Sequence, residues 1–333
     1  MSQSNWSTPT IKTRKPIRGS LVWWLRLVGV VAFLILIFRL PSYEEVELSH
    51  IDIRWIGLCM ILTLIQVLLD ASVWQWLLAK QNIRHAYPRT IQAHLASQYL
   101  GFVTPGRVGE FLAGGYISMN TGITVGYALS SVVMKKILGW LTLLIFGIWG
   151  LPLLNEITDI SFSSGFGKLV WISVAVVIIL SVAIFIWVLS LRHLAKKWQK
   201  LSPWQIDMTE FRAGIKKLIS WDLVLPLGIS LISFSILFVQ LYAILKALGI
   251  ITVPFITLTR IVGLSRVAAR LIPISIAGFG SKDAATIWLL SQYAIDPAIG
   301  LTVTLLFLIC SYVVTLLLSA VSWWIKPLIV RKA

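Results

Sequence analysis

The sequence predicts an all-α polytopic membrane protein with about six full transmembrane helices plus two opposed re-entrant helical hairpins in an inverted repeat. Composition is the first observation behind this: 58% of the 333 residues are hydrophobic and 13% charged, with 16 Trp, so most of the chain must sit where exposed apolar surface carries no penalty. The second is length. The stretches 21–40, 55–79, 127–150, 168–191, 222–250 and 298–324 are mainly apolar, and each holds roughly 20 residues or more, enough at about 1.5 Å per residue to cross a hydrocarbon core of about 30 Å. The third is that basic residues gather in alternate connections, as the positive-inside bias demands.

That distribution also decides what the formal charge of +16 means. It follows membrane topology, and no nucleic-acid partner is expected. Cys59 and Cys310 lie inside apolar stretches and read as small hydrophobic filler. No Cys/His cluster, HExxH helix, GxSxG elbow or Walker-type loop is present, and His50, His85, His94 and His193 are scattered as loop or interfacial residues rather than ligands. No metal, cofactor or catalytic residue is assigned, and a transporter is favoured over an enzyme.

Residues 1–20 form a basic tail (Lys12, Arg14, Lys15, Arg18), and the apolar run behind it has no cleavage pattern, so it reads as a retained first span. A single membrane domain covers 21–324, and 325–333 is a second tail with Lys326, Arg331 and Lys332. Cation counts put both tails, the 80–89 connection and the 192–217 connection in the cytoplasm. The 41–54 and 152–167 connections, which carry Glu44, Glu45, Glu47, Asp52, Glu156 and Asp159, fall outside. The expected location is the cytoplasmic (inner) membrane.

Parity then constrains two shorter apolar regions. Residues 91–120 must enter from the cytoplasm and return to it, and 256–291 must do the same from the exterior; legs of about 14 to 17 residues suit re-entrant hairpins. Repeat one would run 21–150 and repeat two 168–324, an inverted pair. Trp55 to Pro105 spans 50 residues and Asp222 to Pro273 spans 51. Within 192–217, Ser202, Pro203 and Gln205 make a helix start, and Trp204, Met208, Phe211, Ile215 and Leu218 share one face, so a helix lying on cytoplasmic headgroups is expected.

Both hairpin tips carry the same order of proline, glycine, base and acid. In the first, Pro105 and Gly106 end the incoming helix and Gly109 lies between Arg107 and Glu110, which share a face three residues apart. The second holds Pro273, Gly278 and Gly280, followed by Lys282 and Asp283. Helix starts exposed at both tips would favour an anion between them. Arg266 and Arg270, four apart on one helical face with Arg260 off it, need anionic compensation, for which a lipid phosphate is the natural candidate. Charges at membrane depth mark functional sites by default. The plainer readings are a salt bridge pinning the first hairpin and arginines that snorkel to headgroups. Asp70, Lys135 and Lys136 also sit deep in apolar stretches, either as architecture or as a proton-coupling group.

The signatures Thr-Pro-Gly-Arg-Val-Gly-Glu-Phe at 104–111 and Leu-Ile-Pro-Ile-Ser-Ile-Ala-Gly-Phe-Gly-Ser-Lys-Asp-Ala-Ala at 271–285 resemble the membrane domain of lysylphosphatidylglycerol synthases and their stand-alone flippase-like relatives. The family's Pro-Gly-Arg-x-Gly-Glu is met by Pro105, Gly106, Arg107, Gly109 and Glu110. Of its Gly-x-Gly-x-Arg-Glu, Gly278 and Gly280 match, and Lys282 and Asp283 are conservative departures. Where the family has Glu-Arg followed by Asp after the first hairpin, this chain has Lys135, Lys136 and Gly139. The resemblance implies a lipid-handling membrane domain, in the best-known members a flippase for aminoacylated phosphatidylglycerol. It also implies that the soluble aminoacyl-transferase domain of full-length synthases is missing here.

The function expected is movement of an anionic or aminoacylated phospholipid, or a related lipid-linked headgroup, across the membrane. Arg107, Glu110, Arg266, Arg270, Lys282 and Asp283 would bind the headgroup. A membrane-embedded transferase using Glu110 or Asp283 as base, and a scaffold that recruits a lipid-modifying enzyme, are the alternatives. Membrane phospholipids are the expected partners, with a separate lipid-modifying enzyme and a homodimer left open.

Overall fold

The computed structural model describes residues 51–103, 105–158, 208–271 and 280–325. The expected spans at 21–40 and 168–191, the cap at Ser202–Gln205, and Pro273 and Gly278 fall outside these residues. Every regular element described is helical. In chain order they are α1 (Ile53–Lys80), α2 (Tyr87–Val103), a 3-10 turn (Pro105–Phe111), α3 (Leu112–Thr121), α4 (Val125–Thr158) and α5 (Met208–Leu218). A short 3-10 turn (Trp221–Leu223) then leads into α6 (Val224–Ala247), followed by α7 (Phe255–Leu271), α8 (Ser281–Ser291) and α9 (Pro297–Phe307). A π-helical turn (Leu308–Val313) joins α9 to α10 (Val314–Ile325) in one continuous rod.

Four helices are long and apolar enough to cross a membrane: Ile53–Lys80, Val125–Leu154, Trp221–Ala247 and Pro297–Ile325. They coincide with the four expected spans that fall within the described residues. Their outward faces are apolar and uncovered, among them Ile61, Leu64 and Leu68 on α1, Ile145 and Ile148 on α4, and Leu317 and Val321 on α10. Such belts are stable only against hydrocarbon. The protein is an integral membrane protein.

Packing fixes the direction of each span. Asp52, which caps α1, donates its N–H to the Ala247 carbonyl at the far end of α6 (3.0 Å), and Lys80 at the other end of α1 pairs with Asp222. So α1 and α6 lie antiparallel along their lengths. α4 starts beside the Lys80 end, where Tyr127 Oη donates to the Gln81 carbonyl (3.3 Å), and finishes at the Asp52 end.

The two hairpins enter from opposite ends. α2 and α3 leave from and return to the Lys80 end, and the chain reverses at the 3-10 turn. Gly101 permits this, because a Cβ there would stand 2.6 Å from Glu110 Cγ on the returning leg. α7 starts at the Asp52 end and descends α4 antiparallel. Arg260 bonds Glu156 (2.9 Å), Trp149 donates to Thr259 (3.0 Å), and Arg270 finally lies over the Trp140 ring (5.3 Å). The close approach depends on glycine: a Cβ on Gly263 would meet the Phe146 carbonyl oxygen at 2.3 Å. α8 then returns, and Tyr293 and Ile295 join the core cluster containing Ala247 and Val253.

The long-range pairings are reciprocal. The second spans of the two proposed repeats, α1 and α6, pack on each other. The second hairpin's first leg, α7, packs on α4, the third span of repeat one, and the first hairpin's first leg, α2, packs on α10, the third span of repeat two. At the α2–α10 contact Tyr99 stacks on Trp323 (5.2 Å) and Ser322 donates to the Gln92 carbonyl (3.0 Å). Exchanging the repeats maps this set of contacts onto itself, as an inverted repeat requires.

Two expectations need correction. α5 forms with the expected face, but Phe211, Ile215 and Leu218 are buried against Val73 and Leu77 of α1 and Met134 and Leu138 of α4. Gly214 brings the helix against Ser130, and Lys217 donates to the Gln81 carbonyl (3.2 Å). Protein, not headgroups, covers the described part of that stripe, Phe211 to Leu218. The helix starts expected to be bare at the tips are also answered in part from within the chain. The first tip runs unbroken from its 3-10 turn into α3, and at the second the Asp283 carboxylate accepts the Gly280 N–H (3.1 Å), answering the helix start from within.

Candidate functional site

Both hairpin tips stop at adjacent levels of α4. Glu110 from the first tip pairs with Lys136, and Arg270 near the second covers Trp140, one helical turn further on. Between them opens a cavity of about 750 Å³. Its wall includes Arg107, Lys135, Lys136, Arg266, Arg270 and Lys282, with Asp70 and Glu110 as the carboxylates.

Arg107 occupies the tip with φ 58°, a left-handed conformation that costs a non-glycine residue energy and is over-represented at functional positions. Its guanidinium pairs with Glu110, three residues on, and lies over the Phe102 ring (5.3 Å). Lys136 shares the same carboxylate and lies over Phe111 (4.8 Å). Glu110 thus ties the tip to α4. Gly109 is buried beneath it.

On the opposite wall Arg266 donates to Tyr312 Oη (2.8 Å) and faces the Phe307 ring (5.4 Å). Lys282 lies over Tyr312 (4.6 Å) and pairs with Asp283 (3.0 Å), which is 1% exposed. Gly280, with φ 102°, adopts a backbone closed to L side chains and starts α8. Asp283 does not reach the main cavity. It lines a second void of about 20 Å³, room for about one water, between α7, α8 and α9.

Asp70 lies on a third wall, where it accepts from Ser233 Oγ (2.7 Å), and Gln66 donates to the Ser233 carbonyl. Lys135 donates to His94 Nδ1 (3.0 Å). Arg260 is held at the rim by Glu156 and does not line the cavity.

Of the residues expected from sequence to bind the headgroup or couple protons, all but Asp283, which stands one layer behind Lys282, meet around one space. Sequence reasoning missed His94, Gln98, Trp140 and Tyr312, which also line it. A signal existed for two of them. His94, Ser97, Gln98 and Gly101 fall at helical spacing on an otherwise apolar leg. Tyr312 gave none, because the π-helical turn sets its direction.

The site can hold an anion. Guanidinium groups offer planar donor pairs to phosphate oxygens, and aromatic faces steady the cations where water is scarce. Among the described residues no group of His, Cys, Asp and Glu is arranged to hold a metal ion. No curated protein and no solved structure matches the chain. The family model of the lysylphosphatidylglycerol synthase TM region matches residues 23–319, and with that extent this protein belongs to the lysylphosphatidylglycerol synthase TM-region family.

Proposed function

We propose that the protein is a lipid flippase that moves a phospholipid headgroup across the cytoplasmic membrane through the cavity between the two hairpin tips. The observation that carries this reading is the convergence of six cationic side chains on a space of about 750 Å³ among helices long and apolar enough to cross a membrane. Arginine and lysine at such depth are costly unless they face water or a charged ligand. Arg107 and Arg270 hold the phosphate, and the acyl chains stay in hydrocarbon beside the spans. Headgroup-sized cavities at the junction of inverted repeats are how many transporters place their substrate near the midplane.

The positive-inside bias sets the sides. The Lys80 end, with Arg84, Arg89, Lys216 and Lys217, faces the cytoplasm, and the Asp52 end faces the exterior. A transferase is disfavoured by the pairing of its two named bases: Glu110 is held between Arg107 and Lys136, and Asp283 is held by Lys282 and the Gly280 N–H. A general base needs a basic lone pair within reach of its substrate, and pairing with cations makes a carboxylate a weaker base.

The test is purified protein in vesicles carrying labelled phosphatidylglycerol, with its exchange between leaflets followed over time. Wild type is expected to accelerate exchange, and Arg107→Ala and Arg270→Ala to abolish the acceleration. Full lipid movement in both variants means the cavity is not the route.

A further inference from the structure

The charges on the cavity wall do not balance. Six cations (Arg107, Lys135, Lys136, Arg266, Arg270, Lys282) face two carboxylates (Asp70, Glu110), leaving four positive charges, or three if Asp283 behind Lys282 is counted. The apolar stretches 21–40 and 168–191 and residues 272–279 contain no Asp or Glu in their sequence, so they add no further carboxylate to this count. Like charges gathered in one cavity repel, and a ligand of opposite charge relieves them in proportion to the charge that it brings.

One phosphodiester supplies a single negative charge, and a headgroup that also carries an ammonium supplies none in net. Resting on the flippase reading above, we propose that the preferred substrate is a lipid whose headgroup carries two phosphates, and that the same cavity rejects aminoacylated headgroups.

The cations fall into two groups on opposite walls, one for each phosphate. The first joins Arg107 and Lys136 through Glu110, at the first tip and α4. The second joins Arg266 and Lys282 through Tyr312, on the second hairpin and the last span. Arg270 lies over Trp140 between them. Thr142, 2% exposed, also lines the cavity, and its hydroxyl oxygen has no hydrogen-bond partner among the described residues, so a polar atom is left for a ligand oxygen. Among the described residues the carboxylates that the wall offers an incoming ammonium are Asp70, already accepting from Ser233, and Glu110, already shared by two cations. Two arrangements satisfy this chemistry: a diphosphate, or two phosphodiesters joined by a short linker.

The test uses the full chain in vesicles of neutral phosphatidylcholine, each doped with one labelled lipid. The four are phosphatidylglycerol, lysyl-phosphatidylglycerol, cardiolipin for two joined phosphodiesters, and a polyprenyl diphosphate. The expected result is movement of cardiolipin or of the polyprenyl diphosphate about ten-fold faster than phosphatidylglycerol, equivalent to about 1.4 kcal/mol of discrimination, with no acceleration of the lysyl lipid. Whichever two-phosphate lipid moves identifies the arrangement. Lys136→Met and Arg266→Gln, one from each group, should each lower the ratio of the two-phosphate lipid's rate to that of phosphatidylglycerol from about ten-fold to about one. Unfolding temperature in detergent verifies that both variants fold, and Lys136→Arg should retain the preference if Lys136→Met does not fold. Equal movement of phosphatidylglycerol and either two-phosphate lipid, or rapid movement of the lysyl lipid, overturns the inference and leaves the flippase reading standing. Movement of none of the four overturns both.

Discussion

At the residue scale Glu110 is the joint of the site, because one carboxylate serves Arg107 on its own turn and Lys136 on α4. Glu110→Gln removes the counter-ion from two half-buried cations at once. It should lower stability by an amount on the order of 1–3 kcal/mol, measured as unfolding in detergent, and abolish lipid movement. Arg260→Gln breaks a comparable pair in geometry, but its partner Glu156 is 56% exposed, so the loss should be within about 1 kcal/mol. Arg107→Lys keeps the charge yet loses the planar donor fork, and its transport rate should fall by about ten-fold or more. The Arg107–Glu110 pair was legible in the sequence because three residues of spacing bring two side chains together on any helical turn. Lys136 was legible only as a charge in the wrong solvent. Its partner lies 26 residues away and becomes a neighbour only after the hairpin reverses at Gly101. His94 was read as a stray histidine for the same reason, since its contact with Lys135 belongs to the fold and not to the segment.

At the scale of elements, the long spans were legible because twenty apolar residues have one stable form in a bilayer. The fate of α5 was not, because an amphipathic stripe reads the same whether lipid or protein covers it, and only Gly214 against Ser130 shows which. Close contact without side chains also governs the seam between α4 and α7, where Gly147 meets Val267, Gly150 meets Leu264 and Gly263 meets Phe146. Gly263→Ala should push α7 from α4 and lower stability by about 1–3 kcal/mol, whereas Gly57→Ala, with nothing within 4 Å, should be neutral or slightly stabilising. The π-helical turn has its own support: Thr63 Oγ1 donates to the Cys310 carbonyl (2.9 Å) and in turn accepts from Gln240 (2.8 Å). Thr63→Val removes a donor from the Cys310 carbonyl and one of the two acceptors of Gln240, which keeps the Cys59 carbonyl (3.3 Å). A loss of about 1–2 kcal/mol is expected, together with slower lipid movement, because the same turn aims Tyr312 at Arg266.

At the scale of the whole molecule the decisive property is that the two hairpins enter from opposite ends, since a substrate held between their tips can then be exposed to either side by rocking one half against the other. Packing orders the two ends, and the cations assign each to a side. Thiol labelling joins the two. Cys59 and Cys310 are the only cysteines and are both fully buried, so the native chain gives a silent background. Asn82→Cys in the exposed turn after α1 and Thr121→Cys at the end of the first hairpin lie at one end, and Ile251→Cys, 69% exposed before α7, lies at the other. An impermeant maleimide added to intact cells should modify Ile251→Cys alone. In inside-out vesicles it should modify Asn82→Cys and Thr121→Cys and spare Ile251→Cys. Labelling at Thr121 fixes parity alone, because a hairpin and a pair of full spans both return it to the side of Asn82, and the two differ in how far the tip goes. A cysteine at Val108 in that tip therefore completes the experiment. It should resist the reagent from both sides in the unliganded protein and react, slowly, only while lipid is being moved. Prompt labelling of Val108→Cys from the exterior would mean that residues 91–120 cross the bilayer twice, and with that the opposed-hairpin mechanism fails.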